Sequence, residues 1–273
     1  MKRRLAFLAV NGALALLALA TAAPILWMVS ASFMTTGEAT TLPVHLVPAH
    51  PTLEHYRLLF ARLDFARALG NTLLLALVIT FISLLANSMA GYAFAKLRFR
   101  GRDRLFAILL ATLVVPPQVT VLPLFLEVRA LGLVNSFGGV IVAGIATVFG
   151  IFLVRQFALG IPDELLDAAR MDGASELRIY WTIVLPLLRP ILLTLGVFTF
   201  LAAWNDFMWP LIVLTDQTKY TLPVAIANLS GEHVQDIELM MAGAVVTVAP
   251  ALALFLALQR YYVRGILMGG VKG

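Results

Sequence analysis

Six apolar runs constrain this chain more than any other feature: about Leu5 to Ser30, Leu69 to Phe94, Leu105 to Leu126, Phe137 to Leu159, Ile183 to Leu214 and Leu239 to Tyr262. A bilayer core takes about 20 helical residues, so each run is long enough to cross one, and the fifth overshoots it. With 61% apolar and 13% charged residues among 273, no room is left for a sizeable soluble domain. Lipid offers no partner to a bare backbone, which restricts such runs to helices or a closed barrel, and runs of this length to helices. The expectation is an all-α, polytopic membrane protein with six transmembrane helices, forming a single domain over residues 1–273.

Charge sets the expected orientation. Lys2, Arg3 and Arg4, the stretch Lys96 to Arg104, the stretch Arg155 to Arg189 and the tail from Arg260 hold 15 of the 20 Lys and Arg. By the positive-inside rule these segments, and both termini, face the cytoplasm. The net charge of +5 lies at the ends of apolar runs rather than on one face, so topology accounts for it and nucleic acid is not an expected partner. The first run also resembles a secretory signal, with Ala-Thr-Ala-Ala at 20 to 23 as a cleavage site. Apolar residues continue to Val29, however, which favours a retained anchor.

Two outer loops follow from this topology, about 31–68 and 215–238. In the first, Pro43, Pro48 and Pro51 break regular structure, and Leu53 to Ala68, including Leu63, has the periodicity of a helix lying along the surface. The second, with Pro223 and Gly231 as breakers, reads as a polar connector.

The inner segment of about 160–182 carries the most information. Pro162, Asp163 and Glu164 suit a helix start, where the proline lacks no needed N–H and the acids meet the positive end of the dipole. Gly173 can take the left-handed conformation that ends that helix, and Ser175 can cap a second one running toward Leu185 and Pro186. Ala168, Ala169 and Gly173 have almost no side chain, so another protein can approach the backbone there. From the residues alone two readings stand: an interfacial hairpin between two spans, or a knob that enters a partner's cleft.

The run Asp167-Ala168-Ala169, three residues, Gly173, nine residues, then Ile183-Val184-Leu185-Pro186 resembles the EAA loop of the membrane subunits of ATP-binding-cassette importers. Asp167 stands where that pattern has Glu, keeping the charge but shortening the reach by one methylene. Asn71-Thr72, Pro116-Pro117 with Val121 to Phe125, Trp204 to Phe207 and the terminal Gly269 to Gly273 are similar to the second, maltose-type membrane subunit of the carbohydrate-uptake branch. The resemblance implies a multi-pass cell-membrane permease subunit for di- or oligosaccharides. It also implies a homologous second permease, two ATPases carrying ATP and Mg, an extracytoplasmic sugar-binding protein and surrounding lipid as partners. It assigns ATPase coupling to Asp163, Glu164, Asp167, Ala168, Ala169, Asp172, Gly173, Ala174, Leu185 and Pro186. The cytoplasmic tail of about 263–273, with Gly270, Val271, Lys272 and Gly273, would approach the ATPases, and the loop before span six would touch the binding protein.

Within the membrane, Asp206 is the acid set well inside an apolar run, and a charge there faces a bundle interior or a watery cavity. With Asn205 and Trp204 or Trp209 it is a candidate for the translocation path, the competing role being a polar contact between helices. Pro116, Pro117 and Pro123 predict a kinked third span. Asn87 and Gln118 read as interhelical hydrogen-bond partners. His45, His50, His55 and His233 fall in outer loops as solvated residues, cysteine is absent, and the phosphate-cradling Gly-rich pattern is missing, so no enzyme, cofactor or metal site is expected in this chain. Glycerol phosphate or polyol import by the same subunit type, and an ion-coupled carrier, are the alternatives; the latter needs buried carboxylates in several spans.

Overall fold

The computed structural model describes residues 2–62, 64–232 and 236–270, and among them every regular element is helical. Three helices are long and apolar enough to cross a membrane unaided, within α1 (Lys2–Ala31), α3 (Phe65–Lys96) and α14 (Ile237–Gly270). Three further spans arise if each of three bent helix pairs counts as one crossing, which gives six. Side chains such as Phe7 (69% exposed) and Leu16 (70%) on α1 point outward, the inverse of a water-soluble helix and the pattern that hydrocarbon rewards.

The bends have local causes. The pair α4 (Arg102–Ala111) and α5 (Pro117–Ala130) turns through 109° where Pro116 and Pro117 remove two N–H donors, as their positions predict. The pair α6 (Phe137–Ala143) and α7 (Val148–Ala158) bends by 48° around Gly144, and Thr147 Oγ1 restarts the helix by accepting the Gly150 N–H at 3.1 Å. The segment Glu176–Leu187 meets α11 (Arg189–Trp204) at 79°. The fifth apolar run is therefore two limbs and a separate short helix, α12 (Met208–Val213).

The chain divides into two compact units, Met1–Ala66 with Ala225–Pro250 and Arg67–Val224 with Ala251–Gly273. In the first, α2 (Glu54–Arg62) ends before Asp64, whose φ of 52° breaks the single surface helix expected over Leu53 to Ala68. A short polar side chain tolerates that left-handed turn. Leu59 and Phe65 are buried rather than lying on a surface, and Leu63 is outside the described residues. His55 is also buried, not solvated: its Nε2 lies 3.0 Å from the Met34 carbonyl and its Nδ1 3.7 Å from Asp236 Oδ1. His233 lies outside the described residues. Glu238 is buried and accepts the Ala39 N–H at 2.7 Å. The expected connector over 215–238 instead contains a helix, α13 (Leu222–Glu232), because Pro223 sits in its first turn where it costs no hydrogen bond.

The second unit contains two apolar clusters. One joins Leu75, Ile79, Val128, Val140, Trp209 and Val213. The other joins Tyr92, Val154, Ile161, Leu166, Ile179, Tyr180 and Leu188, and it is the floor on which the elbow rests.

Candidate functional site: an elbow and a cavity in one unit

The elbow begins with α8 (Asp163–Met171). Pro162 is extended at its N-cap, and Asp163 and Glu164 occupy the first turn. Leu166 is buried in the cluster beneath, whereas Leu165 and Met171 are exposed, so one face of α8 anchors and the other is presented outward. Gly173 ends the helix at φ 79°, its N–H donating to Arg170 O and the Ala174 N–H to Ala169 O, both at 3.0 Å. That is a Schellman turn, and it requires a residue at home with positive φ. Ser175 then accepts the Arg178 N–H at 3.3 Å and opens α9 (Glu176–Ile179), which runs through a π-helical turn (Tyr180–Val184) into α10 (Leu185–Leu187).

Ala168, Asp172 and Gly173 are exposed, while Ala169, Ala174 and Leu185 are half-buried against the floor. The outward surface is thus small residues flanked by Leu165, Met171 and the acids Asp163, Glu164 and Asp167. It is a knob with a flat crown.

Ion pairs fix its shape. Asp167 Oδ1 accepts from Arg170 Nη1 at 2.7 Å, so the shorter acid still makes a pair, within its own helix. Arg170 Nε donates to Glu176 Oε1 at 2.7 Å, joining the two limbs of the elbow. These hydrogen bonds, first Glu176 and then Asp167, push the Arg170 guanidinium further above its ordinary range. Lys96, at the end of α3, is almost fully buried, and its Nζ donates to Ile161 O at 2.6 Å and Asp163 Oδ1 at 2.7 Å. That hydrogen bond holds the Asp163 carboxyl below the usual carboxylate range, with the charges of Lys96, Arg98 and Arg170 acting in the same direction. Tyr92 Oη donates to Glu176 Oε2 at 2.7 Å. Sequence reasoning missed Tyr92, and it read Lys96 only as a charge that sets topology and Glu176 only as a first-turn acid. The local signal for Tyr92 and Lys96 is their four-residue spacing on α3, a helix that also carries Ser83, Asn87 and Ser88.

In the same unit a cavity of about 670 Å³ is walled by Pro117, Gln118, Thr120, Thr147, Phe149, Phe198, Thr199, Asp206 and Trp209, among others. Asp206 lies in the break between α11 and α12 rather than well inside a span, and its Oδ1 accepts the Trp209 N–H at 3.4 Å. Trp209 Nε1 donates to Gly139 O at 3.1 Å, which fixes the indole. Trp204 does not reach the cavity: it is 1% exposed and stacks on Phe200 with centroids 5.7 Å apart. Asn205 also stands apart, its amide donating to Leu201 O at 2.8 Å. Asn87 makes its expected interhelical bonds, accepting the Thr147 N–H at 3.0 Å and donating to Thr147 Oγ1 at 3.3 Å, while Gln118 faces the cavity. Of the tail residues, Gly270 ends α14, and Val271, Lys272 and Gly273 lie outside the described residues. Among the described residues no group of three or more His, Asp or Glu could hold a metal ion.

Apolar helices, a structured elbow and a largely apolar cavity that carries a few polar groups define a multi-pass membrane subunit of a transport system. The chain belongs to the family of binding-protein-dependent transport system inner membrane components, whose model matches residues 87–268. It is 38% identical to the arabinooligosaccharides transport system permease protein AraQ of Halalkalibacterium halodurans, over 92% of this chain and 91% of that one. It is 33% identical to the lactose transport system permease protein LacG of Rhizobium radiobacter, over 100% and 98% of the two chains. Its fold matches a chain of a bacterial ABC transporter involved in the import of the acidic polysaccharide alginate, with a TM-score of 0.83, 26% identity and coverage of 96% and 98%.

Proposed function

We propose that this chain is one of two permease subunits of an ATP-driven importer of oligosaccharides, and that its elbow is the surface on which an ATPase subunit docks. The observation that carries the reading is the Schellman-ended knob of Asp163 to Ala174, small at its crown and braced from beneath by Leu166, Arg170 and Lys96. A surface of that shape transmits force because it does not deform. Closure of two ATPases around ATP and Mg would draw the elbows of both permeases together and switch the cavity between inward- and outward-facing states, a rigid-body transition. The basic residues Lys96 to Arg104 support an orientation with the elbow and both termini in the cytoplasm. In that orientation the tail Gly270 to Gly273 approaches the ATPases and an extracytoplasmic binding protein delivers the sugar from the far side; the family's dependence on a binding protein supports the second of these roles.

The cavity supports a sugar as the solute. Threonine hydroxyls, the Gln118 amide and the Asp206 carboxylate are hydrogen-bond partners for hydroxyl groups, and Trp209, Phe149 and Phe198 supply apolar wall. Its lining has an acid and no Lys or Arg, which suits a neutral polyhydroxylated solute over a phosphorylated one. Asp206 is the contact we assign to the path.

The test is reconstitution of the permease pair, the ATPases and the binding protein in liposomes. Uptake of labelled oligosaccharide is expected only with ATP, and accumulation at full rate without nucleotide would refute the reading.

A further inference from the structure

The elbow is gripped by a helix far from it in sequence. Ser88, Tyr92 and Lys96 stand four residues apart on α3 and so form one stripe along it. Each reaches a different point of the elbow and the limb behind it: Ser88 Oγ lies 2.7 Å from Tyr180 Oη in the π-helical turn, Tyr92 Oη donates to Glu176 in α9, and Lys96 Nζ donates to Ile161 O and Asp163 Oδ1 at the start of α8. Beside this stripe, Asn87 binds both the N–H and the hydroxyl of Thr147, which caps α7 and lines the cavity.

The helices bearing these bonds are also locked sterically. A Cβ on Gly91 would fall 2.6 Å from Val154 Cγ1 and 3.0 Å from the Arg155 amide nitrogen, so α3 and α7 touch backbone to side chain with no slack between them. Asn87, Ser88 and Tyr92 are buried. A buried polar group costs free energy unless it is paired, and apolar residues would serve insertion alone better. What the pairs add is direction: apolar packing permits two helices to slip, whereas a hydrogen bond fixes their register.

We propose that this stripe is a strut, in which α3, the elbow and the α7 cap at the cavity wall move as one body, and that Tyr92 is a positioning residue that carries elbow displacement to Thr147. The proposal rests on the docking role assigned to the elbow above. Glu176 is its junction: Oε1 accepts from Arg170 of the first limb, and Oε2 accepts from Tyr92 at 2.7 Å and from Arg170 Nη2 at 3.4 Å.

The experiment compares oligosaccharide uptake per ATP hydrolysed in liposomes bearing the complete transporter. Tyr92→Phe keeps the ring and removes only the hydroxyl. Complexes are expected to assemble in normal yield and the ratio to fall about fivefold or more, the size of a typical coupling between sites. Glu176→Gln is expected to lower the ratio likewise, and the double variant to lose no more than the worse single one, because both act through one bond. A wild-type ratio in Tyr92→Phe, or fully additive losses, would overturn the strut. A second arm exploits the absence of native cysteine: Tyr92→Cys with Glu176→Cys is expected to show the same loss, and bridging the two thiols with a bifunctional reagent to restore the ratio. A bridge that abolishes uptake would mean that α3 and the elbow move apart during the cycle, and the strut would fall. If the unmodified complex transports without ATP, the docking role fails and takes the strut with it; if the unmodified complex is coupled and the variants match it, only the strut fails.

Discussion

Gly173 separates the two requirements that the elbow places on one residue, conformation and bareness. Its φ of 79° is a region where an ordinary L residue is strained by roughly 1–2 kcal/mol, about a 5- to 30-fold bias against the native turn. Asn visits that region readily, so Gly173→Asn keeps the Schellman turn and Gly173→Val, β-branched, does not. A Cβ at this position meets nothing within 4 Å inside the chain, so neither side chain clashes within the folded permease, and only the valine is opposed there, by its backbone conformation. Any loss in the Asn variant therefore comes from a partner surface that the new side chain meets. An extra side chain in a packed contact costs about 1–3 kcal/mol, and a loss of roughly tenfold in ATPase capture is expected for Gly173→Asn, with an equal or larger one for Gly173→Val. The assay is co-purification of the ATPase with a tagged permease at graded ATPase concentrations, paired with ATP-dependent uptake. Normal capture and uptake in Gly173→Asn, alongside loss in Gly173→Val, would show that only the backbone turn matters and would refute the docked knob.

Three further outcomes follow from the geometry. Asp163 is held below its ordinary value of 3.8 by Lys96, so its contribution to holding the elbow is fully present above that value and is lost as the pH falls through the lower folded-state value; the protection of the Asp163–Met171 amides, exchange rate relative to the intrinsic rate at each pH, should stay flat from pH 7 to pH 5, and a loss of protection within that interval would contradict the pairing. Gly91→Ala should destabilise the permease by about 1–3 kcal/mol through the clash with Val154 and the Arg155 backbone, read as a lower Tm in detergent, with an unchanged Tm as the contrary result. Asp206→Asn should raise the sugar concentration for half-maximal uptake several-fold, a typical consequence of weakening one charged hydrogen bond, while ATPase capture stays normal; unchanged uptake would remove Asp206 from the path.

The apolar runs and their helical character were legible because bilayer thickness and backbone satisfaction leave one solution for runs of this length. The kink at Pro116 and Pro117 and the turn at Gly173 were legible because each depends on a residue's own covalent geometry. What escaped were features set by neighbours distant in sequence. The helix at Leu222–Glu232 lies where local polarity suggests loop, yet Leu222 and Val224 are buried there and burial overrode the polar signal, while the break at Asp64 interrupts a run whose periodicity alone reads as one helix.

The candidate site divides along the same line. Asp163 to Pro186 could be marked residue by residue, because helix start, cap and stop signals are local. The bonds that tie this segment to α3 join residues 84 apart at Tyr92 and Glu176 and 67 apart at Lys96 and Asp163, the bond from α3 to the α7 cap joins residues 60 apart at Asn87 and Thr147, and no window along the chain contains both partners. The same limit explains Trp204, which a sequence places beside Asp206. The helix ends between them, so the indole turns into the core against Phe200 while the carboxylate reaches the cavity. The elbow's shape can thus be read from a motif, but its stiffness is a property of contacts. Permeases that share the elbow but differ at the positions of Tyr92 and Glu176 should therefore dock the same motor and yet differ in how much transport each ATP produces.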